Sequence, residues 1–412
     1  MLQHFFRSQE RIQALGEGPH GSLLEGFAEE LRQTGYAKQS ACARIRAAEH
    51  LVHWTARERI AISDVTEDLL KRFRRHVERC RCPGFGPVRL DSVRGDRLFV
   101  DYLRSTGSLT ASVEPHQDPP LLVAFRQWMR QERGTCDRTL HNYDFYIQAL
   151  LRRLGEDPRG FDAPNLRQFV LETNRQSGSA VAKKCTTALR MFLRFLIAEG
   201  QCAANLEAAI PALAHWRLSA LPRYLLPEDV ERVIASCKPS TPVGRRNRAM
   251  LLLLARMGLR AGDIVTLRLG DIDWKEATVR VSGKGRRETR LPMTQEVGDA
   301  LVAYLKAGRP QTDTDVVFLC GRAPYHAFGS PGTVSTMVAR AMRKAGVVCP
   351  SRGAAHVLRH SVATSMLRQG ASLQEIATVL RHRSIETTQI YAKVDVTALE
   401  RIAQAWPEVQ PC

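Results

Sequence analysis

Apolar positions recur every three or four residues along most of this chain, the spacing of helices that bury one face. "LLEGFAEELRQTGYAKQSACARIRAAEHLVHW", beginning at Leu23, reads as an apolar-periodic helix, a break at glycine, and a second helix rich in arginine. "LLVAFRQWMRQERGTCDRTLHNYDFYIQALLRRL", beginning at Leu121, repeats that layout. Each continues into a further helix, "TEDLLKRFRRHV" in the first and "NLRQFVLETN" in the second. The pattern is a weak internal repeat of helical units. Two proline-bearing polar stretches, "GSLTASVEPHQDPP" and "HWRLSALPRYLLPED", read as linkers. They predict a helical domain over 1–107, a second over 118–210 and a third over 225–412.

The third segment changes character. "PEDVERVIASC" and "GRRNRAMLLLLARMG" read as helices, the latter stopping at Gly258. "ATVRVSGKGRRETRLPM" alternates as two strands around a Gly-Lys-Gly turn. "TQEVGDALVAYLKAG" is helical again, and Ser330 with Pro331 opens another helix. "GAAHVLRHSVATSMLRQG" is amphipathic and ends at a glycine. "SLQEIATVL" starts with a capping box from Ser372 to Glu375, and Ser384 is expected to cap a helix carrying "TTQIYAKV". The expected fold class is mainly α with a small antiparallel β-sheet.

Composition adds a partner. Lysine and arginine total 60 against 42 acidic residues, a formal net charge of +18. Such an excess suits a phosphate-rich partner, nucleic acid before a membrane surface. The ten cysteines are scattered, most of them within apolar helical patterns, so buried thiols in a reducing compartment are expected rather than disulfides. Cys80 and Cys82 form a tight "CRC", but no second pair at zinc spacing answers it, and no metal site is expected there. No stretch is apolar enough to span a membrane, and "MLQHFFRSQERIQ" lacks a secretory pattern. A cytoplasmic, nucleoid-associated protein is expected.

Candidate chemistry gathers in the third segment. A tyrosine can attack a DNA phosphodiester only with help, because its pKa lies near 10. Cations must hold the non-bridging oxygens, a base must reach the phenol, and an acid must protonate the departing 5′ oxygen. Arginine is the natural clamp for a phosphate. Arg260 follows a helix stop in "RMGLRAGDIVTLRL", where a side chain can face a cleft, and Arg359 sits among apolar residues in "HVLRH". On its own, Arg359 is as readily a structural salt bridge as a phosphate ligand. Lys284 tips the predicted hairpin, where it is either solvated or able to deliver a proton. His356 shares a helix face with Arg359 and could act as base or phosphate donor. His356 and His360 lie four apart, but no glutamate or third ligand completes a zinc site, and His360 is expected to pack. His382 is a second donor, and Tyr391 is the candidate nucleophile.

Taken together, "GLRAGDIVTLRLGDID", "VSGKGRRETRLPM", "HVLRH" and "LRHRSIETTQIYAKV" resemble the tyrosine recombinases of phage-integrase type, in that family's order and spacing. The resemblance implies that Arg260 and Arg359 bind the scissile phosphate and Lys284 is the general acid. It implies that His356 assists proton transfer, His382 donates to the phosphate, and Tyr391 forms a 3′-phosphotyrosine. Asp263 matches a supporting position more often held by glutamate, and Arg381 stands where the family usually has glycine. Residues 118–210 look like the family's helical core-binding (SAM-like) domain. The extra segment 1–107 looks like a second such module, a layout similar to recombinases of transposons and other mobile elements.

The implied function is site-specific recombination through a covalent intermediate, serving integration, excision or transposition, with neither metal nor ATP. The implied partners are double-stranded DNA and three further copies of the chain, docked through the C-terminal helix "VTALERIAQAWP". Related recombinases or accessory proteins are further candidates. Two other readings stay open at this stage: a type IB topoisomerase-like enzyme, and a catalytically silent DNA-binding accessory protein.

Overall fold

The computed structural model describes residues 1–18, 20–85, 93–109, 118–212, 221–282, 288–351, 353–394, 399–400 and 403. The N-terminal segment is helical: α1 (Leu2–Phe5), α2 (Gln9–Glu17), α3 (Gly21–Gln33), α4 (Lys38–Arg57), α5 (Glu67–Glu78) and α6 (Val93–Ser105). Phe27, Ile45, Leu51, Leu70 and Phe99 lie at the heart of its apolar core. Thr66 caps α5 by accepting from the Leu69 amide, and Arg74 on α5 pairs with buried Asp96 on α6 at 3.1 Å.

The middle segment holds α7 (Pro120–Arg133), α8 (Asp137–Leu154), α9 (Ala163–Ser177) and α10 (Ser179–Ala198) around a separate core of Phe125, Ile147, Leu166 and Phe192. Arg126 on α7 pairs with Asp118 at 2.6 Å and with Asp144 on α8 at 2.9 Å, which fixes the two helices to one another. The order of elements repeats that of the first segment. α3 and α7 each end before a left-handed glycine, Gly35 and Gly134. A long helix follows, then a short 3₁₀ turn (Ile62–Asp64 or Pro158–Gly160), then two more helices. The linker stretch at 107–120 lies mostly outside the described residues.

The C-terminal segment contains α11 (Pro227–Ala235), α12 (Pro242–Ala255), α13 (Ala261–Thr266), β1 (Ile272–Asp273), β2 (Thr278–Ser282), β3 (Glu288–Pro292), α14 (Gln295–Ala307), α15 (Pro331–Lys344), α16 (Ala354–Arg368) and α17 (Leu373–Val379). The sheet is antiparallel in the order β1-β2-β3, with Val279 opposite Leu291. β1 is an addition to the two expected strands. Ala249 through Leu254 on α12 are all buried, because α11, α14 and α16 pack around that helix. α12 ends at Ala255 rather than at Gly258, which is left-handed and lies in the loop beyond. Ser372 and Glu375 form the expected capping box. Ser384, however, caps a 3₁₀ turn, and Tyr391 lies on a second one, Gln389–Val394, not on an α-helix.

One expectation about cysteines fails. Among the described cysteines only Cys82, Cys185 and Cys237 are buried. Cys80 and Cys82 do have partners, because α4 and α5 bring His50 and His76 to them. No helix among the described residues is long and apolar enough to cross a membrane.

Candidate active site

Three parts of the C-terminal segment converge. The first is the start of α13. Arg260 caps that helix, and its backbone amide donates to Asp263 Oδ2 at 2.8 Å. The second is α16, which carries His356, Arg359 and His360. The third is the chain from the end of α17 through the turn bearing Tyr391.

Arg359 is 4% exposed. Its Nη1 donates to the Gly258 carbonyl and its Nη2 to the Leu380 carbonyl. Arg260 Nη2 reaches the same Leu380 carbonyl at 3.4 Å and the Arg381 carbonyl at 2.9 Å. Two guanidinium groups are thus held side by side by backbone oxygens. A third cation joins them, since Arg381 forms an ion pair with Asp263 in which both side chains are 7% exposed. Arg381 adopts φ +54°, the left-handed conformation that a glycine takes without cost. Its Nε and Nη1 are buried without an acceptor among the described residues.

The electrostatics follow from that crowding. Burial, then Arg260 and Arg381, pull the Arg359 pKa down to about 9. Burial, then Arg381, lowers Arg260 in the same direction. Three arginines share one carboxylate, a local excess of positive charge that an anion would relieve.

Tyr391 is 2% exposed and packs with Ala363, Leu367, Ile376 and Leu380. Its hydroxyl is 2.8 Å from His360 Nδ1, with the ring of His360 edge-on at 5.6 Å. Burial pushes the Tyr391 phenol up to about 12, against an opposing pull from Arg359. Burial, then His356 and Arg359, holds His360 down to about 4. The imidazole is therefore neutral at pH 7 and can accept the phenolic hydrogen. His360 does more than pack. Sequence position put it one residue beyond Arg359, and only the 3₁₀ geometry of the tyrosine turn shows that the hydroxyl lands on it.

His382 Nδ1 lies 2.7 Å from Thr388 Oγ1, and its pKa is lowered to about 4 by burial, then by Arg359 and Arg260. Much of His356 is exposed, yet the protein around its ring removes hydration. That loss, followed by Arg359 and Arg260, lowers its pKa. Arg260, His356, Arg359, His382 and Tyr391 are thereby brought together, with Asp263 behind Arg260. Lys284 lies outside the described residues, between paired strands β2 and β3.

This constellation can hold a tetrahedral anion beside a tyrosine hydroxyl, and comparison with known proteins agrees. The phage integrase family matches residues 223–397. A protein of Sinorhizobium fredii designated as an integrase/recombinase, y4rA, is 34% identical over 98% of this chain and 99% of its own length. Tyrosine recombinase XerD of Vibrio vulnificus is 30% identical over 73% of this chain and 98% of its own. Among solved structures, XerH site-specific recombinase bound to a palindromic difH substrate shares the fold, with a TM-score of 0.54 and 19% identity over 84% of this chain and 98% of that one. The chain belongs to the phage integrase family and is a tyrosine-type site-specific recombinase, an enzyme that cleaves and rejoins DNA.

Proposed function

We propose that Tyr391 is the nucleophile and that Arg260 and Arg359 bind the scissile phosphate. The observation that carries this reading is the buried cluster of Arg260, Arg359 and Arg381 around one carboxylate, next to a tyrosine whose hydroxyl already has a proton acceptor. Tyr391 Oη attacks phosphorus, the bond to the 5′ oxygen breaks, and a 3′-phosphotyrosine forms. His360 receives the phenolic proton, a negative phosphate beside it raising its affinity for that proton. Lys284 protonates the leaving 5′ oxygen. His382 donates to a non-bridging oxygen, and His356 assists proton transfer at the phosphate. Asp263 positions Arg260 through its backbone. The free N–H groups of Arg381 supply further donors to the anion. The ester conserves the energy of the cleaved bond, so religation needs no ATP, and the arginines supply the charge that a metal would supply elsewhere.

The substrate is duplex DNA, approached through the chain's +18 charge. The helical segments 1–107 and 118–210 serve as DNA-gripping modules and 225–412 as the catalytic domain. Exchange between two duplexes cuts four strands, and each chain carries one such tyrosine, so the working unit is a homotetramer. The C-terminal helix proposed to join its protomers falls largely outside the described residues. The setting is the cytoplasmic nucleoid, and the biological task is integration, excision or transposition of a mobile element.

The test is strand transfer between two duplexes bearing the ends of the enzyme's own element. Joined products, with Arg359→Ala still binding DNA but making none, support the reading. Relaxation of supercoils by dilute protein without strand transfer between marked duplexes would count for a topoisomerase-like enzyme instead.

A further inference from the structure

Far from Tyr391 in sequence, the N-terminal segment assembles a second set of reactive side chains. His50 lies on α4, His76 near the end of α5, and Cys80 and Cys82 in the chain leaving α5. The nitrogen and sulfur atoms that these four residues can offer to a metal all lie within 4.8 Å of one another. His50 Nε2 is 3.3 Å from Cys80 Sγ, and His76 Nε2 is 3.5 Å from Cys82 Sγ. In a tetrahedral zinc site with ordinary bond lengths, a sulfur and a nitrogen ligand stand about 3.6 Å apart. Both of these edges are close to that figure.

Two hydrogen-bond donors reach the sulfurs. The Cys82 amide donates to Cys80 Sγ at 3.1 Å, and Arg57 Nη1 approaches Cys82 Sγ at 3.6 Å. His50 is 2% exposed and stacks on Phe85 with ring centroids 4.4 Å apart and planes inclined by 11°. Phe73 meets His50 edge-on at 5.3 Å, and Trp54 lies 6.1 Å from His76. Aromatic rings therefore pack against both imidazoles; His50 and Cys82 are buried, and His76 and Cys80 are partly so.

We propose that His50, His76, Cys80 and Cys82 bind one structural zinc ion. Two soft thiolates and two imidazoles in a tetrahedron select zinc among common divalent metals. Four protein ligands close the coordination sphere, so the ion does no catalysis. It ties α4 to the end of α5 and fixes the chain that leaves it. Three of the ligands, His76, Cys80 and Cys82, lie close together in sequence, but the fourth, His50, comes from a separate helix, so no familiar zinc motif announces the site. The inference is independent of the chemistry at Tyr391.

The experiment uses the full chain. Zinc per chain is measured by elemental mass spectrometry in the purified wild type, in Cys80→Ser, Cys82→Ser and His76→Ala, and in Cys136→Ser, which alters an exposed cysteine elsewhere. Wild type and Cys136→Ser are expected to hold one zinc each, and the three cluster variants to fall to background. Chelator-stripped wild type is also titrated with cobalt(II), which reads coordination even if a variant fails to fold. Strong visible absorption of tetrahedral cobalt with thiolate charge-transfer bands is the expected result. Folded wild type that lacks stoichiometric zinc and gives only the weak spectrum of hydrated cobalt would overturn the proposal. So would full zinc retention in the folded Cys80→Ser and Cys82→Ser variants.

Discussion

The Tyr391 hydroxyl lies 2.8 Å from His360 Nδ1, inside a core pocket where the tyrosine is 2% exposed. The contact holds the phenol in one orientation and gives its proton a destination. Replacing His360 by phenylalanine keeps the bulk and removes the acceptor. Cleavage by His360→Phe is expected to fall by about 100-fold or more, the usual loss for a general base. DNA binding measured by mobility shift should remain within a few-fold of wild type. Unchanged single-turnover cleavage would assign His360 to packing alone.

Arg381 and Asp263 set a second expectation. Arg381→Gly relieves a left-handed backbone strain of about 1 kcal/mol but leaves Asp263 buried and unpaired. The net cost is expected to be about 1–3 kcal/mol of stability. Adding Asp263→Asn, which removes the orphaned charge, should recover part of that loss. Urea unfolding of the single and double variants checks it; additive losses would show that the two side chains do not act as a pair.

Gly258 joins backbone conformation to the phosphate site. Its φ is +60°, and its carbonyl receives Arg359 Nη1. A Cβ added there would stand 2.7 Å from Leu380 Cδ2, on the residue whose carbonyl holds both Arg260 and Arg359. Gly258→Ala should therefore destabilise by about 1–2 kcal/mol and reduce cleavage well beyond that loss of folded protein. A cleavage rate that tracks only the folded fraction would separate the glycine from the site.

Acid should loosen the catalytic segment. Burial holds His360 and His382 down to about 4, against an ordinary value of 6.5. Below pH 6.5 the unfolded chain binds protons that the folded chain refuses, so stability is complete above that value and is lost as pH falls toward 4. Unfolding free energies across this window should slope upward with pH, and His382→Asn should flatten the slope. Equal slopes in variant and wild type would contradict the assignment.

Much of this was legible in the chain itself. "HVLRH" and "LRHRSIETTQIYAKV" singled out Arg359, His382 and Tyr391 through their resemblance to the recombinase motifs, and the structure brings these three side chains near one another. Periodicity placed α3, α4 and α5 in the first basic segment and α7, α8 and α9 in the second, with the glycine breaks at Gly35 and Gly134, but not α1, α2, α6 or α10. What escaped depended on contacts between distant residues. His360 was set aside because neighbours on a helix diverge, and the tyrosine turn was read as α-helical. Arg381 looked like a departure at a glycine position, whereas its role lies in Asp263, 118 positions earlier. The cluster at Cys80 and Cys82 was half legible: the "CRC" was noticed, but its partners His76 and, above all, His50 on another helix were not linked to it.

Formation of a covalent adduct tests the central claim most directly. The protein is incubated with a nicked duplex carrying its element's end, so that cleavage releases a short fragment and cannot reverse. The mixture is then denatured. Wild type should leave a protein–DNA adduct whose attached peptide contains Tyr391, and Tyr391→Phe should bind the duplex equally and leave none. An adduct of the same yield in Tyr391→Phe, or one mapped to another residue, would contradict the account.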